Sequence, residues 1–103
     1  MWASVIVMAL AAVPQNLDLL SAESHYDLDC FVSGGVAATQ LDGDNANAST
    51  VMAFFYLGRL STRYKKTKWI DVSKRELLQS PHDTTWWVKN AGECATAMID
   101  YTG

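Results

Sequence analysis

Residues 24–41, SHYDLDCFVSGGVAATQL, carry apolar or small side chains on almost every face of one predicted helix. Leu28, Phe31 and Val32 fall on one face at helical spacing, while Cys30 falls on another. Between residues 30 and 41 the only clearly polar side chains are a serine, a threonine and a glutamine. A helix that is apolar all round is buried all round. We therefore expect the other helices of the chain to pack around this one.

Two further helices are predicted after a polar turn at residues 42–47. The first covers residues 48–66 and has a very wide apolar surface. The second is short and covers residues 73–79, because Ser73 and Glu76 have the spacing of a capping box.

The last helix is predicted from a strong start signal, Ser80 followed by Pro81. It runs over residues 81–100, with Trp87 and Cys94 on its inward-facing stripe. The sequence therefore predicts an all-α fold, a small four-helix domain.

The chain has two cysteines, Cys30 and Cys94, and each lies on the inward face of a predicted helix. In a short chain that leaves the cytoplasm, such a pair is read as a disulfide. Closing a loop of about 65 residues contributes about 4 kcal/mol in the chain-entropy account. The alternative is a pair of buried free thiols in a cytosolic protein.

Residues 1–13 form a signal-like apolar segment, and residues 14–103 form a single helical domain. The segment lacks the positive start of a typical signal, because no lysine or arginine precedes Arg59. A buried first helix is therefore the alternative. A permanent membrane span is not expected, because it needs about 20 apolar residues. The expected location is periplasmic or secreted.

Charge is divided unevenly along the chain. Residues 1–58 contain six acidic side chains and no basic one, and the net charge of the whole chain is −3. Nucleic acid is therefore not an expected partner. Arg59, Arg63 and Lys66 share a narrow face of the second predicted helix, where they could dock an acidic partner. Alternatively, this face pairs with the acidic first half of the chain.

Trp86 and Trp87 cannot face the same side of a helix, since neighbouring residues lie about 100° apart. Trp87 shares the inward stripe of the last helix, so Trp86 points toward the edge of the bundle. We expect Trp86 to contact another protein or a second copy of the chain.

No catalytic, metal or cofactor motif is present. His25 and His82 lack the spacing of zinc-binding helices. The turn beginning at Asp42 lacks the ligands of a calcium-binding loop. The expectation is therefore no enzyme, no metal and no cofactor. Clustering of either histidine with acids in a cleft would revive the alternative of an enzyme.

The stretch at residues 52–60, MAFFYLGRL, together with the cysteine placement, resembles a group of small bacterial envelope proteins. That resemblance implies a leader, a helical body and one disulfide, and it implies no activity. In architecture alone the chain is similar to periplasmic acid-stress chaperones of the HdeA/HdeB type, with which it shares the cysteine pair.

These observations together predict an exported small helical binding protein of the chaperone, inhibitor or immunity type. The alternative is a structural or accessory component of a cell-envelope assembly.

Overall fold

The computed structural model describes residues 13–14 and 16–102, and four α-helices make up most of this part of the chain. They are α1, Ala22–Gln40; α2, Gly43–Arg63; α3, Trp69–Gln79; and α4, Thr84–Thr102. A 3-10 turn at Leu17–Leu19 precedes them. The all-α prediction is confirmed. The signal-like segment lies outside the described residues except for Val13, which is half-buried and packs against the core.

Helix α1 is the central helix, as predicted, and it packs against each of the other three. Ser21 caps its start, since the Ser21 Oγ accepts a hydrogen bond from the Ser24 backbone N–H at 3.1 Å. Helix α2 also contacts α4, whereas α3 packs mainly against α1. The core takes buried side chains from all four helices, including Leu28, Phe31 and Val32 from α1, Met52, Tyr56 and Leu60 from α2, Trp69 and Val72 from α3, and Trp87 and Ala91 from α4.

Gly34 marks the closest approach of α1 and α2. A Cβ atom added there would lie 2.8 Å from the Cβ of Ala53 and 2.9 Å from the Cε of Met52. Any side chain at this position would push the two helices apart. The neighbouring Gly35 has no such neighbours within 4 Å.

The predicted disulfide is confirmed. Cys30 on α1 and Cys94 on α4 are bonded, with their Cα atoms 5.7 Å apart. Both residues are fully buried. The Tyr56 hydroxyl donates a 2.7 Å hydrogen bond to the Cys94 carbonyl oxygen, so α2 also packs over the bridge. A disulfide of this kind fits an oxidising compartment outside the cytoplasm.

The predicted starts of α2 and α3 are wrong. The helix α2 begins at Gly43, inside the predicted turn, and Ser49 lies within it, donating from its Oγ to the Asn45 carbonyl oxygen. Helix α3 begins at Trp69, and Ser73 donates from its Oγ to the Ile70 carbonyl oxygen. Both serines therefore bond inside a helix that has already started, because a serine hydroxyl can bond either a helix end or a preceding carbonyl.

The predicted start of α4 is also wrong, by three residues. The Asp83 carboxylate accepts a 2.8 Å hydrogen bond from the Trp86 backbone N–H, which makes Asp83 the capping residue. The Ser80 hydroxyl instead accepts from the His82 backbone N–H at 3.2 Å, within the connecting loop.

Candidate functional site

Two depressions lie where α1 faces α3. The first, here called the apolar groove, has walls from the later part of α1 and one face of α3. The second, here called the polar cleft, lies at the start of α1 and is closed by the end of α3 and the loop that follows it. The same two helices therefore supply one apolar and one polar site.

The apolar groove has a volume of about 360 Å³. Side chains that would normally be covered remain open along α3, with Ile70 60% and Leu77 43% exposed. Gly35 lines the groove, and a Cβ atom built on it meets no heavy atom within 4 Å. Of the remaining lining residues, Phe31, Val32 and Val36 are apolar, whereas Thr39, Ser73 and Lys74 carry polar groups. The groove can therefore accept apolar side chains but offers few polar groups to orient them.

The polar cleft has a volume of about 270 Å³. At its centre lie His25 and Asp29 from α1 and Glu76 from α3. One ligand atom from each of these three residues lies within 4.8 Å of the other two. His25 and Asp29 share one face of α1 because they are four residues apart. The rest of the lining comes from Asp18, Gln79, Ser80, Pro81 and His82.

The three side chains of this cluster interact directly. The His25 Nε2 makes a short hydrogen bond with the Glu76 Oε2 and lies 3.8 Å from the Asp29 Oδ1. The Glu76 side chain is only 6% exposed. The Asp29 Oδ1 is a buried oxygen with no hydrogen-bond partner. The cluster therefore combines one paired buried carboxylate with one unsatisfied oxygen.

Burial, together with the neighbouring Glu76 carboxyl group, raises the pKa of Asp29 to about 8. Two carboxyl groups this close cannot both be ionised cheaply, so Asp29 holds a proton at neutral pH. An imidazole nitrogen beside two carboxyl groups could donate or accept a proton, and the same three groups could ligate a divalent ion.

The sequence pattern predicts other roles for these residues. It shows no zinc-binding spacing at His25, and it predicts a capping box that uses Glu76. The structure brings them together, so a histidine does cluster with acids in a cleft, as the alternative of an enzyme requires. One signal was present in the sequence. Glu76 is seven residues after Trp69 and four after Val72, so it falls on the buried stripe of α3.

Arg59 and Arg63 contact acids of α1. The Arg59 Nε lies 3.1 Å from the Asp27 Oδ1, and Arg63 also hydrogen bonds Asp27, whose side chain is fully buried. Glu23 pairs with both arginines, at 2.9 and 3.3 Å. Burial alone would lower the pKa of Arg59, but the Asp27 carboxylate, together with Tyr101 and Glu23, outweighs that effect and raises it. This geometry matches the alternative in which the basic face pairs with the acidic half of the chain.

Lys66 is separated from the two arginines. Helix α2 ends at Arg63, and Lys66 is an exposed residue in the following turn with a φ of 62°. The three-residue basic face predicted on one helix is therefore wrong in its last member. A partner contact at Arg59, Arg63 or Lys66 stays a prediction.

Trp86 is half-buried rather than fully open. Its indole stacks on the His82 ring, with the ring centres 3.4 Å apart, and meets Trp87 edge to face. The loop before α4 therefore supplies part of the cover that Trp86 needs. Contact of Trp86 with another protein stays a prediction.

Compared with known proteins, the chain matches no protein family, no curated protein and no solved structure. The resemblance to small envelope proteins is thus a prediction that these comparisons do not test. Within the described part of the chain, no helix is both long and apolar enough to cross a membrane.

Proposed function

We propose that this chain is an exported, non-catalytic binding protein of the chaperone type, located in the periplasm or secreted. The apolar groove carries the proposal. An open apolar depression flanked by exposed Ile70 and Leu77 is the kind of surface that marks a protein-binding site.

The composition of the groove favours tolerant recognition over a single partner. Specific sites place several polar groups to fix the orientation of a ligand. Of the three polar lining side chains, Thr39 and Ser73 already donate their hydroxyl protons to the Val36 and Ile70 carbonyl oxygens, which leaves the Lys74 ammonium as the polar donor of the lining. Apolar side chains of many different segments could therefore occupy the groove, as expected for a chaperone that binds unfolded chains. An inhibitor or immunity protein would need more directional contacts.

Gly35 allows a direct test. In the Gly35→Leu variant, the new side chain fills the groove without meeting an existing atom within 4 Å at its Cβ. The probe is fluorescently labelled, reduced and carboxymethylated α-lactalbumin, which stays unfolded without added reductant. Fluorescence anisotropy should show binding by the unmodified protein and an affinity at least about tenfold weaker, or about 1.4 kcal/mol, for the variant.

Gly58→Leu is the matched control, because Gly58 lies on α2, also has open space at its Cβ, and is not part of the groove. It should bind the probe as the unmodified protein does. The proposal fails if the unmodified protein does not bind, or if Gly35→Leu and Gly58→Leu bind equally well. Sedimentation velocity adds a third outcome. A dimer that Gly35→Leu converts to a monomer would assign the groove to a second copy instead of an unfolded client.

A further inference from the structure

We propose that His25, Asp29 and Glu76 form a binding site for a divalent transition-metal ion, with Zn²⁺ as the best-fitting example. The polar cleft that holds them shares no lining residue with the apolar groove, so this proposal does not rest on the proposed client binding. The inference starts from geometry, since one donor atom from each residue lies within 4.8 Å of the others.

The donor set fits zinc. Zn²⁺ is bound by imidazole nitrogen and carboxylate oxygen at about 2.0–2.2 Å, and sites that keep a water ligand use three protein side chains. Tetrahedral bonds of that length place ligand atoms roughly 3.3–3.6 Å apart. The 3.8 Å between the His25 Nε2 and the Asp29 Oδ1 is close to this spacing. Two carboxylates would also balance the charge of the ion, which matters at a site where Glu76 is only 6% exposed.

The Asp29 Oδ1 gives an independent reason to place a ligand here. This oxygen is buried and has no hydrogen-bond partner among the described residues. Leaving a buried polar atom unsatisfied costs about 1–3 kcal/mol, so proteins rarely do it without cause. A bound ion would satisfy this oxygen and would replace the direct contact between His25 and Glu76.

The position of the three residues favours reversible access. The cleft is open to solvent, and its volume of about 270 Å³ leaves room for the ion and for water beside it. The ligands come from two helices, because His25 and Asp29 lie on α1 and Glu76 lies on α3. A bound ion would therefore hold α3 against α1 and stabilise the folded chain by mass action.

The imidazole ligand predicts which ions bind. Imidazole suits zinc and its neighbours in the first transition row, whereas Mg²⁺ and Ca²⁺ prefer all-oxygen sites. Isothermal titration of the oxidised, chelator-treated protein should give one Zn²⁺ per chain, and Mg²⁺ should not compete at equal concentration. Zn²⁺ should also raise the melting temperature in a concentration-dependent way. Co²⁺ should give the visible absorption of a tetrahedral site without a thiolate band, since both cysteines are bonded to each other.

The variants distinguish this site from adventitious binding. His25→Ala should weaken Zn²⁺ binding by more than the roughly 10–100-fold that loss of an outer partner costs. His82→Ala is the matched control, because it removes the other histidine of the chain, which lines the cleft but is not part of the cluster. Glu76→Gln removes a second ligand and should also weaken Zn²⁺ binding. If circular dichroism shows that this variant does not fold, Asp29→Asn takes its place.

Three results would overturn the proposal. The first is Zn²⁺ binding that survives in His25→Ala, and the second is binding that His82→Ala weakens equally. The third is a folded, unmodified protein that shows neither a saturable titration nor a change in melting temperature with Zn²⁺.

Discussion

Asp27 is a carboxylate with no solvent exposure, and both of its cationic partners come from α2. The two arginines reach solvent, whereas Asp27 does not, since the Arg59 and Arg63 side chains are 24% and 30% exposed. Breaking a buried ion pair is costly when the charge left behind cannot reach water. The arginines could be solvated without Asp27, but Asp27 could not be solvated without them.

This asymmetry gives a prediction for the two arginines. The double variant Arg59→Ala/Arg63→Ala should lower the free energy of unfolding by about 3–5 kcal/mol, because it strands the buried Asp27 carboxylate. Lys66→Ala is the control, and it should change stability by less than about 0.5 kcal/mol, as expected for an exposed side chain. Urea unfolding of the purified variants measures both values. Equal stability of the two variants would show that the Asp27 pair does not hold α1 against α2.

Helix starts were harder to predict than helix faces. The apolar faces follow from periodicity, which is local, so α1 was correctly expected at the centre with Cys30 pointing inward. The starts depend on which of several nearby serines and acids bonds a free N–H. The sequence pattern predicts Ser73 and Ser80 as capping groups, and neither caps its helix.

The candidate sites were also hard to predict, because their residues lie far apart in the sequence. The i, i+4 spacing of His25 and Asp29 is visible in the sequence and places them on one face of α1. Their partner Glu76 is 51 residues from His25. No local pattern joins residues so far apart, because only the packing of α3 on α1 does so. The groove likewise depends on how α3 lies across α1, which periodicity does not specify.

The capping assignment of α4 can be tested with two single variants. Asp83→Ala removes the carboxylate that accepts a hydrogen bond from the Trp86 backbone N–H. It should lower the free energy of unfolding by about 0.5–2 kcal/mol. Ser80→Ala removes only a loop hydrogen bond, so it should cost less than about 0.5 kcal/mol. Thermal melts followed by circular dichroism compare the two. A larger loss for Ser80→Ala would restore the start that the sequence suggested.

Across the whole molecule, the covalent and non-covalent connections are distributed differently. The disulfide joins α1 to α4, while α3 is held mainly by its packing on α1. Both depressions lie at that α1–α3 contact. The disulfide thus braces α1, which forms one wall of both depressions, but does not reach α3, which forms the other. Binding could therefore adjust α3 without disturbing the bridged pair.

The disulfide gives the prediction for the molecule as a whole. It closes a loop between positions 64 residues apart. In the chain-entropy account this lowers the entropy of the unfolded state and so raises its free energy by about 4 kcal/mol. The double variant Cys30→Ala/Cys94→Ala should therefore lose about 2–5 kcal/mol in urea unfolding. Its helical content should remain, because the bridge acts mainly on the unfolded chain.

Thiol titration provides the control for this prediction, since the unfolded but unreduced protein should contain no free thiol. The double variant is preferred to Cys94→Ala alone, which would leave an unpaired thiol at Cys30 in the core. Two free thiols per chain, or equal stability of the unmodified protein and the double variant, would contradict the expectation. Loss of the helical signal in the double variant would instead show that the four helices form only when the bridge holds α1 and α4 together.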